Sequence, residues 1–210
     1  MKKFLYLLIS CLILTACKKK DNPVQIQTTF PFVKVGNQWN YKVTTPGGET
    51  EISQRITAKN NDNFFNIKLS FVGTQLPEVD AFWYADHDSF AKETEWPESK
   101  FKFVMLKKDA DVGDEWDYFV PAPLDPSESD IFGIIKYKIL EKNASLSILG
   151  KTYNDVYKIN HTASSHDGYY MNYYLSLSTG ILKIEGMAIQ SIDGQISYHP
   201  TEDVLIYKNF

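Results

Sequence analysis

Tyr169-Tyr170-Met171-Asn172-Tyr173-Tyr174-Leu175-Ser176-Leu177-Ser178 decides the fold class. Tyr169, Met171, Tyr173, Leu175 and Leu177 fall on one face of an extended chain, and Tyr170, Asn172, Tyr174, Ser176 and Ser178 on the other. Successive side chains of a strand point to opposite faces, so this period of two reads as a strand with one face on a core. Outward from it the pattern recurs. Ile135, Tyr137 and Ile139 alternate with Lys136 and Lys138, and Phe65, Ile67, Leu69 and Phe71 alternate with Asn66, Lys68 and Ser70. Phe101, Phe103 and Met105 begin another such run. One-sided strands belong to antiparallel sheets with one face on a core and one in water. Pro46-Gly47-Gly48, Asn60-Asn61-Asp62-Asn63, Thr179-Gly180 and Asp193-Gly194 supply the turns between them. No stretch keeps a helical period beyond about three turns. Pro121 to Asp130 and Glu93 to Lys100, with Trp96-Pro97, read as the long irregular excursions.

The pattern is also duplicated. Val35-Gly36-Asn37-Gln38-Trp39-Asn40-Tyr41 returns 77 residues later (112 − 35) as Val112-Gly113-Asp114-Glu115-Trp116-Asp117-Tyr118. Gly36, Trp39 and Tyr41 match Gly113, Trp116 and Tyr118, and the other polar positions exchange amide for acid at equal size. A fainter echo pairs Phe82-Trp83-Tyr84 through Lys92 with Tyr173-Tyr174 through Lys183. The expected fold is therefore all-β: a single domain over residues 31–210, built from pseudo-repeats of about 31–109 and 110–210. A strongly curved single antiparallel sheet or open barrel is expected first, and a β-sandwich is the alternative.

Ahead of the domain stand Lys2 and Lys3, an apolar run from Phe4 to Leu14, and then Leu14-Thr15-Ala16-Cys17. The apolar run falls short of the roughly 20 residues needed to span a bilayer but suits a signal-peptide core. This stretch resembles a bacterial lipobox. The resemblance implies that residues 1–16 are removed by signal peptidase II and that Cys17 becomes the lipidated N-terminus. Cys11 then leaves with the signal segment and Cys17 is consumed by lipid, so no thiol remains for a disulfide. Loss of Lys2 and Lys3 leaves 20 of the 22 basic residues against 26 acidic ones, a balance of −6. Residues 17–30, with Lys18-Lys19-Lys20-Asp21 and Pro23, read as a flexible tether. Lys18 occupies the position where Asp would signal inner-membrane retention, which favours the outer membrane. Charged residues after the cysteine also leave surface export open. The V-G-x-x-W-x-Y repeats resemble those of uncharacterised Bacteroidetes-type lipoproteins, which implies location and β architecture but no activity.

Composition narrows the function classes. With 43% hydrophobic and 23% charged residues the chain is globular, and a formal charge of −4 offers no basic excess for nucleic acid. Asp109-Ala110-Asp111-Val112-Gly113-Asp114-Glu115 imitates a calcium loop, but Gly is fifth rather than sixth and the twelfth position is Val120. Asp86-His87-Asp88 fits turn chemistry better than a metal or acid–base cluster. His161, His166 and Asp167 are close in sequence, as are His199, Glu202 and Asp203, without zinc-site spacing. Glu93, Glu95 and Glu98 read as a solvated loop. No nucleophile elbow or phosphate-binding glycine pattern occurs. Trp39 and Trp116 could form a sugar-stacking platform or lie in the core, and their duplication favours the core. Tyr170 and Tyr174, on the outer face of their strand, are the binding candidates. The sequence thus points to a non-enzymatic envelope lipoprotein, needing no cofactor or metal, held to the membrane by Cys17 and binding an unidentified ligand or envelope partner. An apolar-ligand carrier with an internal cavity and an envelope hydrolase acting on glycans or peptides are the alternatives.

Overall fold

The computed structural model describes residues 29–60, 62–92, 102–120, 133–192 and 195–210. Cys17, the tether before Thr29, Trp96-Pro97, the 121–130 excursion and Asp193-Gly194 lie outside them. The described chain forms twelve strands. They are β1 (Gln38–Thr45), β2 (Gly48–Lys59), β3 (Phe64–Phe71), β4 (Val79–Ala85), β5 (Ser89–Lys92), β6 (Leu106–Lys107), β7 (Glu115–Val120), β8 (Gly133–Ile148), β9 (Lys151–Ala163), β10 (Tyr170–Ser176), β11 (Gly180–Ile192) and β12 (Gln195–Lys208).

All belong to one antiparallel sheet ordered β6-β5-β4-β3-β2-β1-β12-β11-β10-β9-β8-β7. Each half of the chain is a six-strand meander. The halves join where β1 pairs with β12, Trp39 opposite Lys208 and Thr44 opposite Glu202. The other junction, between β6 and β7, has no backbone ladder among the described residues, so the sheet does not close into a barrel. The expected curved sheet is the one observed, and the strands form one sheet rather than the two of a sandwich.

The sheet rolls on itself. The Lys92 ammonium on β5 lies 5.8 Å from the Tyr173 ring on β10, although these strands are far apart in the sheet order. Curvature is concentrated at bulges, which add a residue to one strand and increase its twist. The long β8–β9 pair slips register three times, between Ile139 and Glu141, Glu141 and Ala144, and Ala144 and Leu146. The interior is an aromatic core. Phe32 meets Trp39 and Trp83 edge-on at 6.4 Å and Phe90 at 5.1 Å, and Trp39 lies 5.1 Å from Trp83. Burying each such ring removes a large apolar area from water, worth about 1.5–3 kcal/mol for a Phe.

Two sequence expectations shift. Phe30, assigned to the end of the tether, is fully buried and packs on Phe32 and Phe90. Of the run Phe101, Phe103 and Met105, expected to begin a strand, Phe101 lies outside the described residues, and the strand observed begins at Leu106. The reason is local. The carbonyl of Val104 accepts a bond from the Trp116 indole at 2.5 Å, and its N–H donates to the Tyr118 hydroxyl at 3.2 Å. Side chains, rather than a neighbouring strand, use those backbone groups.

Candidate functional site at the open seam

The two V-G-x-x-W-x-Y stretches build the same turn. Gly36 and Gly113 have φ of +94° and +93°, a left-handed conformation that favours glycine. The Gly36 N–H donates to Ile56 O and Gly113 N–H to Ile139 O, each at 2.9 Å. Asn37 N–H donates to Lys34 O and Asp114 N–H to Asp111 O, each at 3.0 Å. Ile56 N–H returns to Asn37 O at 3.0 Å and Ile139 N–H to Asp114 O at 2.9 Å. The match extends upstream, since Val33 N–H donates to Phe30 O at 2.9 Å and Ala110 N–H to Lys107 O at 3.1 Å. Val33 and Ala110 are both buried. The fainter echo agrees at one rung, Trp83 opposite Lys92 across β4–β5 and Tyr174 opposite Lys183 across β10–β11, before a bulge after Tyr174 shifts the second hairpin's register.

What surrounds the two tryptophans differs. Trp39 is fully buried at the zipped β1–β12 junction and donates its indole N–H to Thr179 O at 2.8 Å. Tyr41 donates its hydroxyl to Ile181 O at 2.9 Å, and burial pushes its phenol far up, so it stays neutral. Phe32 closes the space beside them. It lies so near Gly180 that a Cβ there would meet the ring at 2.9 Å. Trp116 is only partly buried at the unzipped junction, stacked on Tyr137 at 6.4 Å with 23° between planes. The ammonium of Lys107 lies 4.7 Å from its ring centre.

Beside Trp116 opens a cleft of about 570 Å³, lined by Asp88 and Ser89 from the β4–β5 hairpin, Val104, the stretch Lys107–Ala110, Asp114 and Glu115. Glu115 is held below the usual carboxylate range by hydrogen bonds from Lys136 at 3.2 Å and Lys138 at 3.4 Å and by their charges. The Asp114 carboxylate accepts the Asp111 N–H at 2.9 Å. Asp88 and Asp109 also line the cleft, as do Lys107 and Lys108, so its rim carries the carboxylates of Asp88, Asp109, Asp114 and Glu115 against two ammonium groups.

The other sequence candidates are placed as follows. Tyr170 is 40% exposed on the outer face. Tyr174 is half-buried there, donating its hydroxyl to Glu185 at 2.6 Å between Lys158 and Lys183, at 5.2 and 5.8 Å from its ring. Burial first, and then that bond to a carboxylate, raise its phenol. Asp86 is a turn residue: one oxygen accepts the N–H groups of Asp88 and Ser89 at 2.8 and 2.7 Å, the other the Tyr84 hydroxyl at 2.5 Å. Burial alone would raise that carboxyl, yet these bonds outweigh it and hold the group low. His161 is buried and stacked on Tyr137 at 4.7 Å. Among the described residues no three His, Cys, Asp or Glu are grouped to hold a metal.

Sequence reasoning missed the cleft. A signal was present in the aligned repeats themselves, where Phe30 and Phe32 of the first copy fall opposite Lys107 and Asp109 of the second. Trp116, expected in the core like Trp39, packs against the core cluster but is only partly buried. An edge strand leaves one flank of its side chains without a neighbouring strand.

No protein-family model matches the chain, and no curated protein matches it either. Among solved structures it is similar to a candidate lipoprotein from Parabacteroides distasonis, at 12% identity and a TM-score of 0.44, over 88% of this chain and 99% of that one. It is also similar to a candidate outer membrane lipoprotein-sorting protein domain from Vibrio parahaemolyticus, at 8% identity and a TM-score of 0.24, over 83% and 85% of the two chains. Both likenesses are too remote to carry a functional argument.

Proposed function

We propose that this protein is a lipid-anchored envelope lipoprotein whose β domain binds a ligand or partner without catalysing a reaction. Cys17 supplies the anchor, several acyl chains being enough for stable attachment, and the outer membrane is the destination that Lys18 favours. The observation that carries the binding role is the unzipped β6–β7 junction, where the cleft exposes part of the Trp116 indole. Binding sites are concave, with an apolar wall and a few convergent polar groups, and the seam offers both. Tyr170 and Tyr174 provide a second contact surface on the outer face of the sheet.

The carrier reading expects a cavity against Tyr169, Met171 and Tyr173. Those three pack onto the core instead, and none of them lines the cleft. The hydrolase reading needs convergent carboxylates or a histidine with a metal, and no observation favours it.

Fractionation of cells producing the whole chain tests the anchor. The wild type is expected in the membrane fraction and Cys17→Ala in the soluble periplasm. A Cys17→Ala chain that still sediments with membranes contradicts the reading.

A further inference from the structure

The geometry points to the seam cleft as a site for an aromatic ring, in the position that Phe30 and Phe32 fill at the opposite junction. The inference deepens the proposed binding role and rests on it.

The two halves correspond residue by residue around the two tryptophans. The Trp repeats are offset by 77 residues, and the hairpins by 91 (174 − 83). The first offset relates Phe30, Phe32, Val33 and Trp39 to Lys107, Asp109, Ala110 and Trp116. Counted along the chain, the second relates Thr179 and Gly180 to Asp88 and Ser89, with β10–β11 carrying a bulge after Tyr174 that β4–β5 lacks. At the zipped junction these residues form a solid cluster, with the Phe32 ring wedged between Trp39 and Gly180. At the seam their counterparts Asp88, Ser89, Lys107, Asp109, Ala110 and Trp116 all line the cleft. The turns share four backbone bonds, while Phe32 O accepts from Lys34 N and Asn37 Nδ2 in the first copy and Asp111 N turns to the Asp114 carboxylate in the second. Only the rings are missing, because Lys107 and Asp109 are exposed and leave the space open.

The Lys107 ammonium lies 4.7 Å from the Trp116 ring centre, a contact worth little at an exposed site. An incoming ring would displace that ammonium and stack on the indole, the preferred contact between aromatic surfaces. The acidic rim of Asp88 and Asp109 favours a neutral or cationic bearer of the ring over an anionic one.

The chain itself supplies the probe: acetyl-Phe-Pro-Phe-amide, the sequence of residues 30–32. It is titrated into the full-length Cys17→Ala chain while the tryptophan indole N–H resonances are followed by NMR. The Trp116 signal, assigned by its loss in Trp116→Phe, is expected to shift saturably with a dissociation constant of about 0.1–1 mM. The Trp39 signal should not move. Asp109→Phe restores the plug of the other copy and should weaken binding at least tenfold while raising the melting temperature. Lys107→Ala, an exposed change, uncovers the indole and should tighten binding about threefold. Three results would overturn the inference: no shift at Trp116, equal binding of acetyl-Ala-Pro-Ala-amide, or undiminished binding by a folded Asp109→Phe. Saturable binding of maltotriose at Trp116 with none of the peptide would reassign the cleft to a sugar ring. Because fractionation reads the anchor separately, a failed titration leaves the Cys17 assignment standing.

Discussion

Trp39 and Trp116 sit at the same point of the same turn, yet one is sealed in the core and the other borders a cleft. The local sequence explains their likeness and the sheet explains their difference. β1 has a partner on each side, β2 and β12. β7 has β8 alone. The backbone of Gln38 is satisfied on its far side by Asn209, whose N–H donates to Gln38 O at 3.3 Å and whose amide oxygen accepts the Gln38 N–H at 2.9 Å. By the alternation of antiparallel ladders, the corresponding groups of Glu115, Asp117 and Phe119 face the seam. Two copies of one motif thus differ in burial because they differ in place, and the comparison yields tests graded by size.

The largest effect belongs to the tryptophans. Trp39→Ala should cost about 3–5 kcal/mol, since it empties a fully buried site and orphans Thr179 O. Trp116→Ala should cost under about 2 kcal/mol, because its side chain is already partly hydrated. Denaturant unfolding of both variants settles the ratio, and equal losses would mean that the seam is closed in solution. Phe32→Ala against Asp109→Ala makes the same contrast with the plug: about 3–5 kcal/mol for the first and within about 0.5 for the second.

Where the copies are alike the account requires equality. A Cβ at Gly36 or Gly113 would meet nothing within 4 Å, so only the left-handed backbone matters at either site. Gly36→Ala and Gly113→Ala should each cost about 1–2 kcal/mol. A large difference between them would show that the two turns are not equivalent.

The smallest effect concerns pH. Asp86 is depressed in the folded chain despite its burial, through bonds from Tyr84, Asp88 and Ser89. A depressed folded value means its stabilisation is present above the unfolded carboxylate range and is lost as pH falls through the folded value. The melting temperature of wild type should therefore exceed that of Asp86→Asn near neutral pH, and the gap should shrink below about pH 4. A gap that widens in acid would contradict this assignment.

Much of this was legible in the sequence. The period of two at Phe65–Phe71 and at Tyr169–Leu177 gives strands, Pro46-Gly47-Gly48 and Thr179-Gly180 fall between them, and the repeated Gly and Trp mark equivalent turns. The open seam was not legible, because whether a strand has one neighbour or two is decided by the path of the whole sheet. One trace of it is present. Gln38 and Asn40 on the paired strand become Glu115 and Asp117 on the edge strand, and outward charge is how edges avoid joining other chains. Read alone, that exchange of amide for acid looks neutral. Phe30 was hidden for a related reason: a ring at the end of a polar segment becomes core only through Phe32 and Phe90, which sequence spacing does not bring together.

Hydrogen exchange of the full-length chain, resolved residue by residue, tests the open seam most directly. The account predicts protection at every ladder-paired amide of β1 but only at alternate amides of β7, with Trp116 and Tyr118 slow and Asp117 and Phe119 fast. Uniform protection along Glu115–Val120 would show that the seam is closed, and would leave Trp116 without the cleft on which its role depends.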